Sequence, residues 1–322
     1  MSKAFLSKLL KTMRIKTPNR DVEKPLYKWF FCLRRQSGQT IAKIANVLYN
    51  LYMAIFARKK IESGFVKSRY KLGLALSGGG TRGLAHVGVI KAFAEERIRI
   101  DVVSGTSAGA LVGACFCAGV SLQRMTDEAK ALKRKDVLNS KFMIGSNSAN
   151  IRALADRLLS GATFNSLAVP FAAVAVDIKS GSEVILSDGD VATAVSASCA
   201  VPALFTPVQL GDRLLVDGGL LNNMPADVCR RMGADVVVGV DLNHNRGKGT
   251  TSRKLKDTLV ATWSITTKST MYKGEMNSDV VIEPELSDYK NTSLDNIDAM
   301  IEEGYRAAKA KMDEIKEILQ IK

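Results

Sequence analysis

Short apolar runs that stop at a glycine-bearing turn and restart as a helical pattern recur along this chain, and this alternation restricts its fold more than any other feature. Leu72–Leu76 is one such run, followed by Ser77-Gly78-Gly79-Gly80 and a helical pattern through Ala94. Residues 100–103 form a second, followed by Ser104-Gly105 and a helix of small residues at 108–118. Further strand-like runs stand at 171–176, 184–186, 214–216, Val236–Val240 and Val280–Ile282. Residues 300–319 read as a charged amphipathic helix that closes the domain, and residues 243–252, rich in Gly, Asn and Thr, read as a loop. Strands alternating with helices imply an α/β fold with a mostly parallel sheet covered on both faces.

The charge divides the chain. Its 322 residues carry a net +14, and residues 1–71 hold 17 Lys and Arg against Asp21, Glu23 and Glu62 alone. The rest is therefore neutral, with 29 basic and 29 acidic groups. This separates a basic leader, residues 1–70, from a body at 71–322. In the leader, Phe5, Leu6, Leu9, Leu10 and Met13 recur at helical spacing among Lys3, Lys8, Lys11 and Arg14. A second stripe, Ile41, Ile44, Ala45, Leu48, Leu51, Tyr52 and Ile55, ends in Arg58-Lys59-Lys60. Basic amphipathic helices of this kind lie in the interface of anionic membranes. Peripheral membrane contact through residues 1–60 is the functional reading. Helices that pack on the body with solvated charges, or a mitochondrial-type presequence without acids in residues 1–20, are the other two.

Lys43 and the brevity of the second apolar run argue against a spanning helix. The first run is too brief for a cleavable secretory signal, so a cytoplasmic, peripherally membrane-bound location is expected. Nucleic acid is not expected, because the basic residues alternate with aliphatics and no reading motif follows. Five scattered cysteines, odd in number, point to a reducing compartment without structural zinc.

Three motifs in the body carry chemistry. Gly78-Gly79-Gly80-Thr81-Arg82-Gly83 lies between a strand and a helix, where glycines bring backbone N–H groups close to a ligand. Such a loop suits a dinucleotide phosphate or an oxyanion. Against the dinucleotide, the next strand leads into Ser104-Gly105 and not to an acidic ribose partner. Gly105-Thr106-Ser107-Ala108-Gly109 fits G-x-S-x-G after a short apolar strand, where a sharp strand-to-helix turn exposes the serine as a nucleophile.

A nucleophilic serine needs a base, and the chain has only His86 and His244. His86 falls inside the helix after the glycine loop, where packing or a loop contact is expected. His244 stands beside a polar loop and stays open as a base. The third motif offers a carboxylate instead: residues 214–216 run into Asp217-Gly218-Gly219. An aspartate at a strand end among apolar neighbours has its pKa raised by desolvation toward a value useful for proton abstraction. Asp-Gly is equally an ordinary turn dipeptide.

In this order, and with Ser196-Ala197-Ser198-Cys199-Ala200-Val201-Pro202 and Leu220-Leu221-Asn222-Asn223-Met224-Pro225 between and after them, the motifs resemble those of the patatin-like phospholipases. The likeness is strong over residues 71–240, looser over the C-terminal helix, and does not reach the leader. It implies a three-layer α/β/α sandwich and a serine–aspartate dyad, with Ser107 as nucleophile and Asp217 as base. It further implies that Gly78, Gly79 and Gly80 form the oxyanion hole, that Arg82 orients the loop or meets a phosphate, and that Gly83, Gly105, Gly109, Gly218 and Gly219 support the site. No cofactor and no metal are implied. The expected substrate is a phospholipid or other lipid ester. A soluble ester or thioester substrate, or a non-catalytic lipid-binding role, is the alternative.

Overall fold

The computed structural model describes residues 64–132, 148–244 and 254–321. The two helices expected in the leader, Cys32 and the part of the expected 243–252 loop beyond His244 lie outside these residues.

Among the described residues the strands are β1 (Leu72–Leu76), β2 (Val102–Thr106), β3 (Phe171–Asp177), β4 (Ser182–Leu186), β5 (Val208–Leu210), β6 (Arg213–Asp217), β7 (Val236–Val240) and β8 (Val280–Ile282). They form one sheet in the order β5-β6-β3-β2-β1-β7-β8, with β4 also paired to β3. β3, β2, β1, β7 and β8 run parallel, whereas β4 and β6 pair antiparallel with β3 and β5 antiparallel with β6. The sheet is thus mixed and mostly parallel, as the alternation of strands and helices implies.

Ten α-helices flank it among the described residues: α1 (Ala85–Glu95), α2 (Ala108–Cys117), α3 (Leu122–Ala131), α4 (Ala149–Leu159), α5 (Val191–Ser198), α6 (Ala226–Arg231), α7 (Leu255–Ser269), α8 (Met271–Asn277), α9 (Ile297–Ala310) and α10 (Met312–Ile318). The two-residue period of β1 assigns its faces. Leu72, Leu74 and Leu76 enter the main core with Phe93, Ala110, Val195 and Met300, whereas Ala75 joins Met224, Ala226, Cys229 and Met271 in a second cluster on the opposite side. Helices therefore cover both faces, and all five residues of β1, β2 and β7 are buried.

Two expectations are corrected. The second strand is Val102–Thr106 and not 100–103, because Ser104 and Thr106 stay in the sheet by donating their hydroxyls to the carbonyls of Pro225 at 2.7 Å and Asn222 at 2.8 Å. Its polar end is buried and satisfied, so the strand runs directly into Ser107. The closing helix is two helices, α9 and α10, which meet at Lys311 with φ −97° and ψ 0°.

Candidate active site

The parallel strands deliver their carboxyl ends to one edge of the sheet, which in such folds is where ligands bind. Gly78 follows β1, Ser107 follows β2 and Asp241 follows β7. The antiparallel β6 brings Asp217 to the same edge. In the register, Thr106 pairs with Val174 and Asp217 pairs with Ala175. Ser107, one residue beyond Thr106, therefore comes level with Asp217 on the far side of β3.

Ser107 sits at the N-cap of α2 with φ 54° and ψ −122°, a conformation that costs a residue with a Cβ about 1–3 kcal/mol. The surroundings enforce it. A Cβ on Gly105 would lie 2.5 Å from the Gly109 carbonyl oxygen, and one on Gly109 would lie 2.2 Å from the Leu76 carbonyl oxygen. Only glycine at both positions lets β2 turn this sharply into α2 and lets α2 press on the end of β1. The Ser107 N–H donates to Ser198 Oγ at 2.9 Å, and that hydroxyl donates to the Val174 carbonyl at 2.6 Å.

Asp217 is fully buried. One carboxylate oxygen accepts the Gly219 N–H at 2.8 Å, while Oδ2 has no hydrogen-bond partner among the described residues. Burial pushes the carboxyl up to about 7, opposed by the Ser107 hydroxyl and the Gly219 N–H. Gly218 places its Cα against β3, where a Cβ would lie 2.3 Å from the Val174 carbonyl oxygen. The Cys199 thiol is also buried here, and burial and the nearby Asp217 charge push its pKa up.

The glycine loop lies against Ser107: a Cβ on Gly78 would be 3.1 Å from the Ser107 Cβ. Its three glycines are not equivalent. The Gly78 N–H donates to the Asn223 carbonyl at 3.1 Å, whereas the N–H groups of Gly79 and Gly80 take no part in the loop hydrogen bonds of the described residues. Gly80 has φ +60° and opens a 3₁₀ turn, Gly80–Leu84. Gly83, in that turn, meets Ala108 at a distance that excludes a Cβ. Arg82 is buried and turns away from the loop, donating its Nε–H to the Tyr289 carbonyl at 2.8 Å. Thr81 adds bonds to the carbonyls of Lys290 and Asn291, each 3.0 Å. These bonds moor the turn to the segment after β8.

His86 is fully buried with Nε2 at 2.8 Å from the Ser77 carbonyl, and desolvation lowers its pKa to about 4. It is neutral at pH 7 and donates through Nε2, which fits the expected loop contact. His244 pairs its Nδ1 with Glu283 Oε1 at 2.5 Å. Asp241, His244 and Glu283 bring one ligand atom each within 4.8 Å of the others. Nδ1, the atom a cation would take from His244, instead donates its proton to Glu283.

The sequence motifs do not single out Ser198, Asn223 or Asn243, which the structure brings to Ser107 and the glycine loop. Ser198 carries the Ser107 N–H, and Asn223 and Asn243 hold the glycine loop. Their positions were the available signal. Ser198 lies in the Ser196–Pro202 stretch, Asn223 follows the Asp217-Gly218-Gly219 turn, and Asn243 falls just past the carboxyl end of β7.

Residues 74–230 match the family model described as patatin-like phospholipase. An uncharacterized NTE family protein of Mycobacterium bovis is 32% identical over 274 residues, covering 75% of this chain and 46% of the relative. Patatin-like phospholipase domain-containing protein 7 of Rattus norvegicus is 33% identical over 181 residues, covering 53% of this chain and 13% of that protein. The chain spans about half the length, or less, of these relatives. Among solved structures, VipD from Legionella pneumophila superposes with a TM-score of 0.53 at 16% identity, over 77% of this chain and 68% of that one, which is a likeness of fold. Residues 74–230 are thus a patatin-like phospholipase domain.

Proposed function

We propose that this chain is a serine acyl hydrolase that cleaves carboxylic esters of phospholipids through an acyl-Ser107 intermediate. The observation that carries the reading is the pairing of a strained, buried Ser107 with the buried Asp217 carboxylate, whose Oδ2 is free to accept a proton. Asp217 takes the Ser107 proton as Oγ adds to the ester carbonyl carbon. The resulting oxyanion meets the N–H groups of Gly79 and Gly80, with Gly78 held in the loop by Asn223. Collapse expels the lysolipid alkoxide, which receives the proton back from Asp217. Water then adds to the acyl-serine with Asp217 again as base, and the fatty acid leaves with Ser107 restored.

The family match supports a lipid substrate. The basic excess of residues 1–71 supports delivery to anionic bilayers. No helix among the described residues is long and apolar enough to cross a membrane.

The test is release of fatty acid from mixed phosphatidylcholine–phosphatidylglycerol vesicles by the full chain and by Ser107→Ala. Loss of release by the variant, with an unchanged circular dichroism spectrum, is expected. Release by Ser107→Ala equal to wild type would end the reading. Hydrolysis of soluble esters or thioesters with none on vesicles would move the substrate to soluble acyl groups.

A further inference from the structure

The loop after β1 is fixed one peptide at a time. In the Ser77–Gly78 peptide both ends are tied, the carbonyl to His86 Nε2 at 2.8 Å and the N–H to the Asn223 carbonyl at 3.1 Å. In the Gly78–Gly79 peptide only the carbonyl is tied, by Asn243 Nδ2 at 2.7 Å and by Asn223 Nδ2 at 3.4 Å. In a trans peptide the C=O and N–H point in opposite directions. Holding the carbonyl against Asn243 therefore turns the Gly79 N–H to the other side, and no loop hydrogen bond among the described residues takes it.

The two asparagines are held at a cost. Both are buried, and the Oδ1 of each has no hydrogen-bond partner among the described residues. An unsatisfied buried acceptor destabilises the fold, a penalty that an apolar side chain of similar size would avoid. The local turn does not need the Asn243 side chain, since its backbone N–H already donates to Asp241 Oδ1 at 2.6 Å. What the side chain supplies is the Nδ2 donor on Gly78.

We propose that Asn243, backed by Asn223, is a positioning residue that locks the Gly78 carbonyl and so pre-aims the Gly79 N–H as an oxyanion donor. It touches no substrate and acts through the Gly78–Gly79 peptide. The inference rests on the reading of Ser107 as nucleophile.

The test uses the full chain with Asn243→Asp, which keeps the shape but puts an acceptor against the carbonyl, and Asn243→Ala. Loss of a whole oxyanion donor costs about 10²–10³ in rate, so misaiming one is expected to lower kcat about 10- to 100-fold with KM nearly unchanged. Two ligands separate this role from a merely structural one. An alkylboronic acid forms a tetrahedral adduct on Ser107 that carries an oxyanion, whereas an ether analogue of the phospholipid has no carbonyl. The variants are expected to lose boronate affinity by about the same factor as kcat and to keep ether affinity.

Unchanged kcat, or equal losses for both ligands, would overturn the proposal. If Asn243→Asp does not fold, as judged by circular dichroism, Asn243→Ala carries the comparison alone. A wild-type chain that forms a boronate adduct on Ser107 while the Asn243 variants match it fails this inference only. Hydrolysis that survives Ser107→Ala overturns both this inference and the reading beneath it.

Discussion

The Ser198 hydroxyl accepts the Ser107 N–H at 2.9 Å while donating its own proton to the Val174 carbonyl at 2.6 Å. It thereby ties the strained turn after β2 to β3, the strand that separates Ser107 from Asp217. A residue held at φ 54° persists only if its surroundings over-determine it, and this bond is one of the constraints. Ser198→Ala leaves the buried Ser107 N–H without its acceptor and the Val174 carbonyl without that donor. Urea unfolding is expected to show a loss of about 1–3 kcal/mol, and fatty-acid release a fall in kcat with little change in KM. Full activity and full stability together would show that the bond does no positioning.

With Asp217 as the base, its carboxyl, pushed up to about 7 by burial, is expected to set the pH dependence of the reaction. A base must be ionised to act, so kcat/KM is expected to rise with pH and to level off above about 7. His86 titrates near 4 and cannot account for that limb, so His86→Gln is expected to leave its midpoint in place. A midpoint that moved with His86 would assign the base to the imidazole.

Stability responds to pH in opposite senses at these two groups. The folded pKa of Asp217 lies above its unfolded value, so the native state holds a proton that the unfolded chain gives up. Its contribution is most favourable below about pH 4 and is lost as pH rises toward 7. Asp217→Asn is therefore expected to be more stable than wild type at pH 8, by about 1.4 kcal/mol for each unit of displacement, and to match it at pH 4. His86 has a lowered folded pKa, so its contribution is full above about 6.5 and is lost as pH falls toward 4. Thermal melts of both single variants across pH 4–8 read the two slopes.

Glycines at the turn differ from glycines in open loops. A Cβ at Gly109 would sit 2.2 Å from a backbone oxygen, so Gly109→Ala must displace α2 from β1. Its expected cost, several kcal/mol, exceeds that of Gly189→Ala, where φ is +75° but no atom lies within 4 Å. The latter is expected to cost only about 1–2 kcal/mol, the price of a left-handed residue. Chemical denaturation of the two variants makes the comparison.

Burial pushes the thiols of Cys115 and Cys229 up to about 12, and those of Cys117 and Cys199 above the ordinary range. The thiolate is the nucleophile, so none of the four is expected to react with iodoacetamide at pH 8 in the native state, and all four to react in urea. Peptide mass mapping distinguishes the states. Native labelling at Cys199 would show an open path to Ser107.

The strand-end placement of Ser107 and Asp217 was legible because each closes a short apolar run on a glycine turn, a local pattern. The other buried strands were legible as short apolar runs, apart from β2, whose buried Ser104 and Thr106 disguise its end, while the short, largely exposed β5 carries no such run. Asn243 and Ser198 carry no such pattern. Asn243 meets Gly78 across 165 residues and Ser198 meets Ser107 across 91, so their roles exist only once the strands are in register. The break between α9 and α10 falls in Ala310-Lys311-Met312, which holds neither glycine nor proline to announce it.

The most direct measurement is covalent capture by an alkyl fluorophosphonate, followed by mapping of the labelled peptide. A single phosphonylated residue, Ser107, is expected, with labelling abolished in Ser107→Ala and slowed by about 10² or more in Asp217→Asn. Labelling that persists in Ser107→Ala, or that proceeds at the wild-type rate in Asp217→Asn, would contradict the dyad.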